Sequence, residues 1–160
     1  MSRRNLFGYT MGLLIFMILI PIGMWRISGD VHPGCLQIVC SVVLAMIGIS
    51  LSIWTIVYMR LVGKGNPMDA FGHEIGQRTS VLMTDGPYRL CRNPMLLGVF
   101  VYYLGLQICL SSWRAAAVFV LFAAVMMVQV NSEEKRLERD FGNDYLTYKA
   151  KTRKLIPFIW

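Results

Sequence analysis

Four long apolar stretches, free of Asp, Glu, Lys, Arg and His at mid-depth, constrain this chain more than any other feature. They cover residues 6–25, 35–59, 95–112 and 113–130. A bilayer core about 30 Å thick takes roughly 20 helical residues per crossing. The first two stretches meet that length and the last two nearly do. Backbone groups in hydrocarbon must satisfy one another within the segment, so runs of this kind fold as helices. With 56% of 160 residues hydrophobic, the chain carries more apolar surface than a soluble domain of its size needs. The expected fold is all-α: a multi-pass bundle of four transmembrane helices forming a single domain over 1–160. The last two helices should make a tight hairpin, with a cytoplasmic amphipathic helix after them that either starts at a capping-box-like Asn131 and Glu134 or continues the fourth helix. No small-residue cleavage site follows the first stretch, which is expected to stay as an anchor.

The formal charge of +7 is distributed by side. Arg3 and Arg4 precede the first stretch; Arg60, Lys64, Arg78, Arg89 and Arg92 lie between the second and third. Lys135, Arg136, Arg139, Lys149, Lys151, Arg153 and Lys154 follow the fourth, whereas only Arg26 and Arg114 fall in the opposite loops. That is the positive-inside pattern, with both termini cytoplasmic. A bacterial cell membrane is the expected location. The basic residues are read as orientation charge beside lipid headgroups, and no nucleic-acid partner is expected. Cys35, Cys40, Cys91 and Cys109, with His32 and His73, show no metal-ligand spacing, so no metal site is expected.

Two cytoplasmic segments remain for chemistry, a loop over 60–93 and a C-terminal segment over 131–160. The loop is irregular and rich in Gly and Pro, with Asp85-Gly86-Pro87 as a turn. In the C-terminal segment Leu137, Phe141, Tyr145 and Tyr148 recur at four, four and three residues, drawing one apolar-aromatic helical stripe. The stripe suits a helix lying on the membrane surface, and equally one that closes a pocket. Neither segment can hold a doubly wound sheet, and no Gly-x-Gly-x-x-Gly fingerprint follows a strand-like run. The absence of an ionisable group at mid-membrane argues against a small transporter.

The charged groups gather at one edge: Arg92 before the third helix, Glu133 and Glu134 after the fourth. A hairpin makes those two ends neighbours. Pro94 fits a first helical turn, where its missing N–H costs little. Gly98 would admit a ligand or another backbone. An arginine, two carboxylates, Tyr88 and a glycine together suit a zwitterionic, partly aromatic ligand.

Gly-Lys-Gly-Asn-Pro (63–67), Gly-Pro-Tyr-Arg-x-x-Arg-Asn-Pro-Met-x-x-Gly (86–98) and Glu-Glu-x-x-Leu-x-x-x-Phe-Gly-x-x-Tyr-x-x-Tyr (133–148) occur in that order. Together they resemble the isoprenylcysteine carboxyl methyltransferase family, whose superfamily includes phospholipid N-methyltransferases. The resemblance implies a multi-pass membrane enzyme that uses S-adenosyl-L-methionine without a Rossmann domain. It places cofactor contacts at Val81, Leu82, Met83, Tyr88, Asn93, Pro94, Gly98 and Glu133, with Glu134 a weaker candidate. Arg92 joins them through its place in the same motif. Gln129, four residues before Glu133, would face the substrate.

Three positions depart from that family's pattern. Asn93 stands where many relatives have His, Leu96 where tyrosine is common, and Gln129 where the eukaryotic prenylcysteine enzymes have an arginine facing a substrate carboxylate. Asn still donates and accepts hydrogen bonds, whereas Gln129 lacks the charge a carboxylate would seek. The implied reaction is methyl transfer to a lipid-like or small amphiphilic acceptor: a carboxylate, an amine or a thiol. No catalytic residue is nominated. Glu134 or a water held by Gln129 would take a proton where one must leave. The alternative is a non-enzymatic membrane scaffold or lipid-binding protein that keeps the fold. A bundle this small could also pair with a second copy.

Overall fold

The computed structural model describes residues 14–63, 69–70, 73–74 and 81–156. The start of the first apolar stretch (6–13) and most of the Gly-Lys-Gly-Asn-Pro motif (64–67) lie outside the described residues. A π-helical turn, Ile15–Leu19, leads into α1 (Ile20–Ser28). Then come α2 (Cys35–Leu61), a two-residue antiparallel ladder of β1 (Asp69–Ala70) with β2 (His73–Glu74), and a 3₁₀ turn at Gly86–Arg89. Helices α3 (Pro94–Leu110) and α4 (Trp113–Lys151) complete the chain.

The π turn has a cause in the sequence. Pro21 has no N–H to give to the preceding turn, and the Ile20 N–H bonds to Ile15 O, one residue further back than in an α-helix. Phe16 O is then left without a helical donor, because its π partner would be Pro21. The Tyr103 hydroxyl donates to it at 2.6 Å. One phenol thus ties α1 to the centre of α3, inside a core of Met24, Val99, Tyr103, Leu110, Ala115 and Phe122.

Helices α2 and α3 form the tightest pair. Ser41, Ala45, Gly48, Ser52 and Thr55 line one face of α2 at helical spacing. Gly98 and Gly105 meet them from α3. A Cβ on Gly98 would lie 2.5 Å from Gly48 O, and one on Gly48 would lie 2.6 Å from Tyr102 N. This is small-residue packing of the kind helices use where lipid offers no hydrophobic drive. Two of the seam's hydroxyls are spent within their own helix and one crosses to its neighbour. Ser41 and Thr55 donate to carbonyls of their own helix at 2.7 and 2.8 Å, and Ser52 donates to Met95 O at 3.2 Å.

The large apolar side chains of α2 point outward: Leu36, Val39, Met46, Ile47, Ile53 and Trp54 are all exposed. Outward apolar faces are what lipid contact requires, and the reverse of a soluble core helix. Helices α2 and α4 are long and apolar enough to cross a membrane; Ile15–Ser28 and Pro94–Leu110 are apolar but shorter.

The hairpin turns through Ser111 and Ser112, with the Ser111 N–H on Gln107 O at 2.8 Å closing α3. Of the two starts open to the C-terminal segment, the structure takes continuation: the helix from Trp113 runs through 131 to Phe141, and a second helical stretch after Gly142 reaches Lys151. Asn131-Ser132-Glu133-Glu134-Lys135 contains neither Pro nor Gly, and leaving an apolar stretch does not end a helix. The break comes instead at Gly142, whose φ of +51° lies in the left-handed region that glycine enters without steric cost.

Candidate ligand-binding site

The Arg-Asn-Pro motif bolts the end of α4 to the start of α3. Arg92 Nε donates to Glu134 Oε1 at 2.8 Å, with both side chains about nine-tenths buried (9% and 10% exposed). Its Nη1 donates to Lys149 O at 3.2 Å and also to Thr152 O, and its backbone N–H reaches Arg153 O at 2.8 Å. The guanidinium therefore caps the carbonyl end of α4, where a cation is favoured. Asn93 Nδ2 donates to Lys154 O at 2.9 Å. Glu134 Oε2 faces Lys154 Nζ at 3.4 Å and Lys149 Nζ at 4.0 Å, while Lys154 Nζ also donates to Asn131 Oδ1 at 2.8 Å. Leu155 closes the strap by burying itself with Leu96 and Val130.

Beside this lock lies an aromatic cluster. Tyr88, Tyr145 and Tyr148 are buried together, packed by Tyr58, Met59, Leu82, Met83, Leu137 and Phe141. The C-terminal stripe thus packs against the turn before α3. Gly86 makes this possible: its φ is +60°, and a Cβ there would stand 2.6 Å from the Tyr58 ring. The Tyr148 hydroxyl donates to Tyr88 O at 2.8 Å. Burial, then the nearby Glu133 charge, pushes the Tyr88 phenol well above its ordinary range. Burial also raises the Cys91 thiol to about 11, which leaves it protonated and unreactive at neutral pH.

Glu133 differs from its neighbour. Its carboxyl titrates above the usual range, first because of burial and second because of the adjacent Glu134 charge. Yet 39% of the side chain stays accessible, and its ion pair with Arg136 is long at 3.5 Å. Glu133 is thus packed among protein atoms on one side and open to solvent on the other. Glu133 stands close enough to the buried Tyr88 for its charge to act on the phenol.

The candidates from the sequence separate accordingly. Leu82 and Met83 pack with Tyr88, and the charge of Glu133 lies near Tyr88. Val81 is exposed and stands outside the cluster. Arg92, Asn93 and Glu134 are engaged with the strap and with each other. Pro94 is buried at the first turn of α3, and Gly98 faces Gly48 and Ser52 of α2. Gln129 is buried one turn before Glu133 on the same helix. Sequence reasoning missed Tyr58, Met59, Lys149 and Lys154. No motif marks them; they enter because the ends of α2 and α4 meet at the turn before α3.

The fold and this edge define a helical membrane protein with a buried ion pair and a tyrosine cluster at one end of its bundle. Residues 36–144, well over half of the chain, match the family described as phospholipid methyltransferase, and the chain belongs to that family. The Protein-S-isoprenylcysteine O-methyltransferase of Schizosaccharomyces pombe is 29% identical over 106 residues, which cover 64% of this chain and 45% of that protein. The Mus musculus protein of the same name is 33% identical over 82 residues, 51% of this chain and 29% of the relative. A nickel-cobalt-cadmium resistance protein, NccN, of Alcaligenes xylosoxydans xylosoxydans is 32% identical over 83 residues, 51% of this chain and 38% of the relative. The chain spans less than half the length of these curated relatives.

Proposed function

We propose that this protein is an S-adenosyl-L-methionine-dependent methyltransferase acting on a lipid-like or small amphiphilic acceptor at a membrane face. The observation that carries this reading is the Glu133 carboxyl, crowded yet accessible and paired with Arg136 only at 3.5 Å. Family membership and relatives named for methyl transfer support it. The donor set fits the methyl donor, which carries two cationic centres and an aromatic base. Glu133 supplies the complementary charge, while Leu82, Met83 and Tyr88 supply apolar and aromatic surface.

When bound, S-adenosyl-L-methionine supplies a methyl group already activated on sulfur. The protein's task is then to align the reactants and exclude water. Arg92 and Asn93 serve that task by holding the strap against α3. Gln129, buried one turn before Glu133, would face the acceptor in this reading. Glu134 is a poor base, since Arg92 and Lys154 already hold its two oxygens. All four helices cross the membrane in this reading, with both termini on the cytoplasmic side of a bacterial cell membrane.

The test is calorimetric titration of S-adenosylhomocysteine into full-length protein in nanodiscs. Micromolar binding that is lost in Glu133→Ala supports the site, and labelled donor then identifies the acceptor. Folded wild-type protein that does not bind rules the reading out.

A further inference from the structure

The strap held by Arg92 and Asn93 brings the chain back to the start of α3. Leu155 is buried there against Leu96, in the first turn of α3, and Val130, at the end of the apolar part of α4. Phe100 and Met126 pack on this cluster from the apolar side. Arg92 precedes α3 and Glu133 follows Val130, so Leu155 sits at the level where both apolar stretches give way to charge. The next residue, Ile156, is exposed.

The sequence then reads Pro157-Phe158-Ile159-Trp160, which lie outside the described residues. From Leu155 to Trp160 no side chain is charged, and only the Trp160 indole carries a hydrogen-bonding group. Such side chains are driven out of water. The hydrocarbon core is closed to them as well, because a run this short cannot span it and leaves its backbone groups without partners. The interfacial layer meets both demands. Water still reaches the backbone there, and a tryptophan ring rests at headgroup level with its N–H wet.

We infer that Ile156, Phe158, Ile159 and Trp160 form a membrane contact, seated in the interfacial layer of the leaflet at this end of the bundle. The lipid surface is the partner, rather than the crevice between α3 and α4, because Leu155 already fills that seat and Ile156 beside it is exposed. Leu155 and the strap carbonyls then fix one end of this run to the protein, while its apolar side chains hold the other to the bilayer. The inference rests on the helices crossing a bilayer and is independent of the methyl-donor reading.

The experiment reads tryptophan fluorescence from full-length protein in phosphatidylcholine nanodiscs. The Trp160 signal is the difference between wild type and Trp160→Phe, and Trp54, exposed on α2, is isolated in the same way with Trp54→Phe. Trp160 is expected to lose most of its emission to lipid brominated near the headgroup, to lose less to lipid brominated near the chain end, and to resist acrylamide in the water. Strong acrylamide quenching without an effect of brominated lipid puts Trp160 in water and overturns the inference. Insensitivity to both quenchers puts it inside the protein, and a greater loss to the deeper bromines puts it in hydrocarbon; either result overturns the inference too. Trp54 should be quenched by brominated chains. Should it not be, the membrane reading fails first and the Trp160 contact falls with it.

Discussion

Arg92 and Glu134 meet at 2.8 Å although 42 residues separate them, and both side chains are about nine-tenths buried. One precedes α3 and the other sits beyond the apolar part of α4. Their contact fixes how the hairpin's two polar ends sit against each other, and it orients the guanidinium toward the strap carbonyls. A buried pair of this sort adds little stability over an apolar replacement, but losing one partner strands the other.

Removing one member of that pair should therefore cost nearly as much as removing both. Arg92→Ala and Glu134→Ala are each expected to destabilise by about 3–5 kcal/mol. The double variant should fall well short of the sum. Denaturant melts of the four proteins in matched detergent give the coupling; additive losses would mean the two side chains act independently.

The glycine seam between α2 and α3 predicts a steric effect. Gly98→Leu must push into Gly48 and Ser52, and Gly48→Leu into Gly98 and Tyr102. Each should destabilise by about 1–3 kcal/mol or more through overpacking. A lower thermal midpoint is expected for both, whereas the same change at exposed Gly23 should be mild. Equal midpoints at all three positions would refute the seam.

The π turn can be tested by a cycle of two positions. Tyr103→Phe leaves Phe16 O without its donor and should cost about 1–3 kcal/mol. Pro21→Ala restores a backbone N–H to this turn and lets it return to α register. In that background the loss of the Tyr103 hydroxyl should cost little. An undiminished cost would show that the phenol acts elsewhere.

Glu133 predicts a pH dependence of ligand binding. Its carboxyl is raised in the free protein, so it is partly protonated at mildly acidic pH. A cationic ligand favours the ionised form and must expel that proton. Affinity should thus rise with pH across a window lying above the ordinary carboxylate range, then level off. Glu133→Gln should flatten this rise as well as weaken binding. Stability should move the opposite way: a folded-state carboxyl that holds its proton more tightly than the unfolded one loses stability as pH rises through the same window. A pH series of calorimetric titrations and melts measures both slopes.

The helices and the edge where polar groups collect were legible in the sequence, because apolar length and charge placement are local signals. Tyr88 and Glu133 could be nominated from their motifs, and Leu82 and Met83 only from the family resemblance of the stretch before the turn. The partners of Arg92 and Asn93 could not, since four of their acceptors are main-chain carbonyls, which every residue carries alike. Gly98 was read as open to a ligand or a backbone, and only the path of α2 decides that its close neighbour is a backbone. The continuity of α4 past residue 130 was obscured by the change from apolar to charged composition, which alters the solvent a helix faces without altering its propensity to continue.

The strap after α4 carries a consequence for how this chain can vary. Arg92 and Asn93 hold it by the carbonyls of residues 149, 152, 153 and 154. Carbonyls do not depend on the side chain that accompanies them, so exposed Arg153 is free to be exchanged for almost any residue except one that alters the backbone path. The spacing has no such freedom. Inserting or deleting one residue between Thr152 and Leu155 would throw the acceptors at 153 and 154 out of register with those at 149 and 152 and pull Leu155 from its seat against Leu96 and Val130.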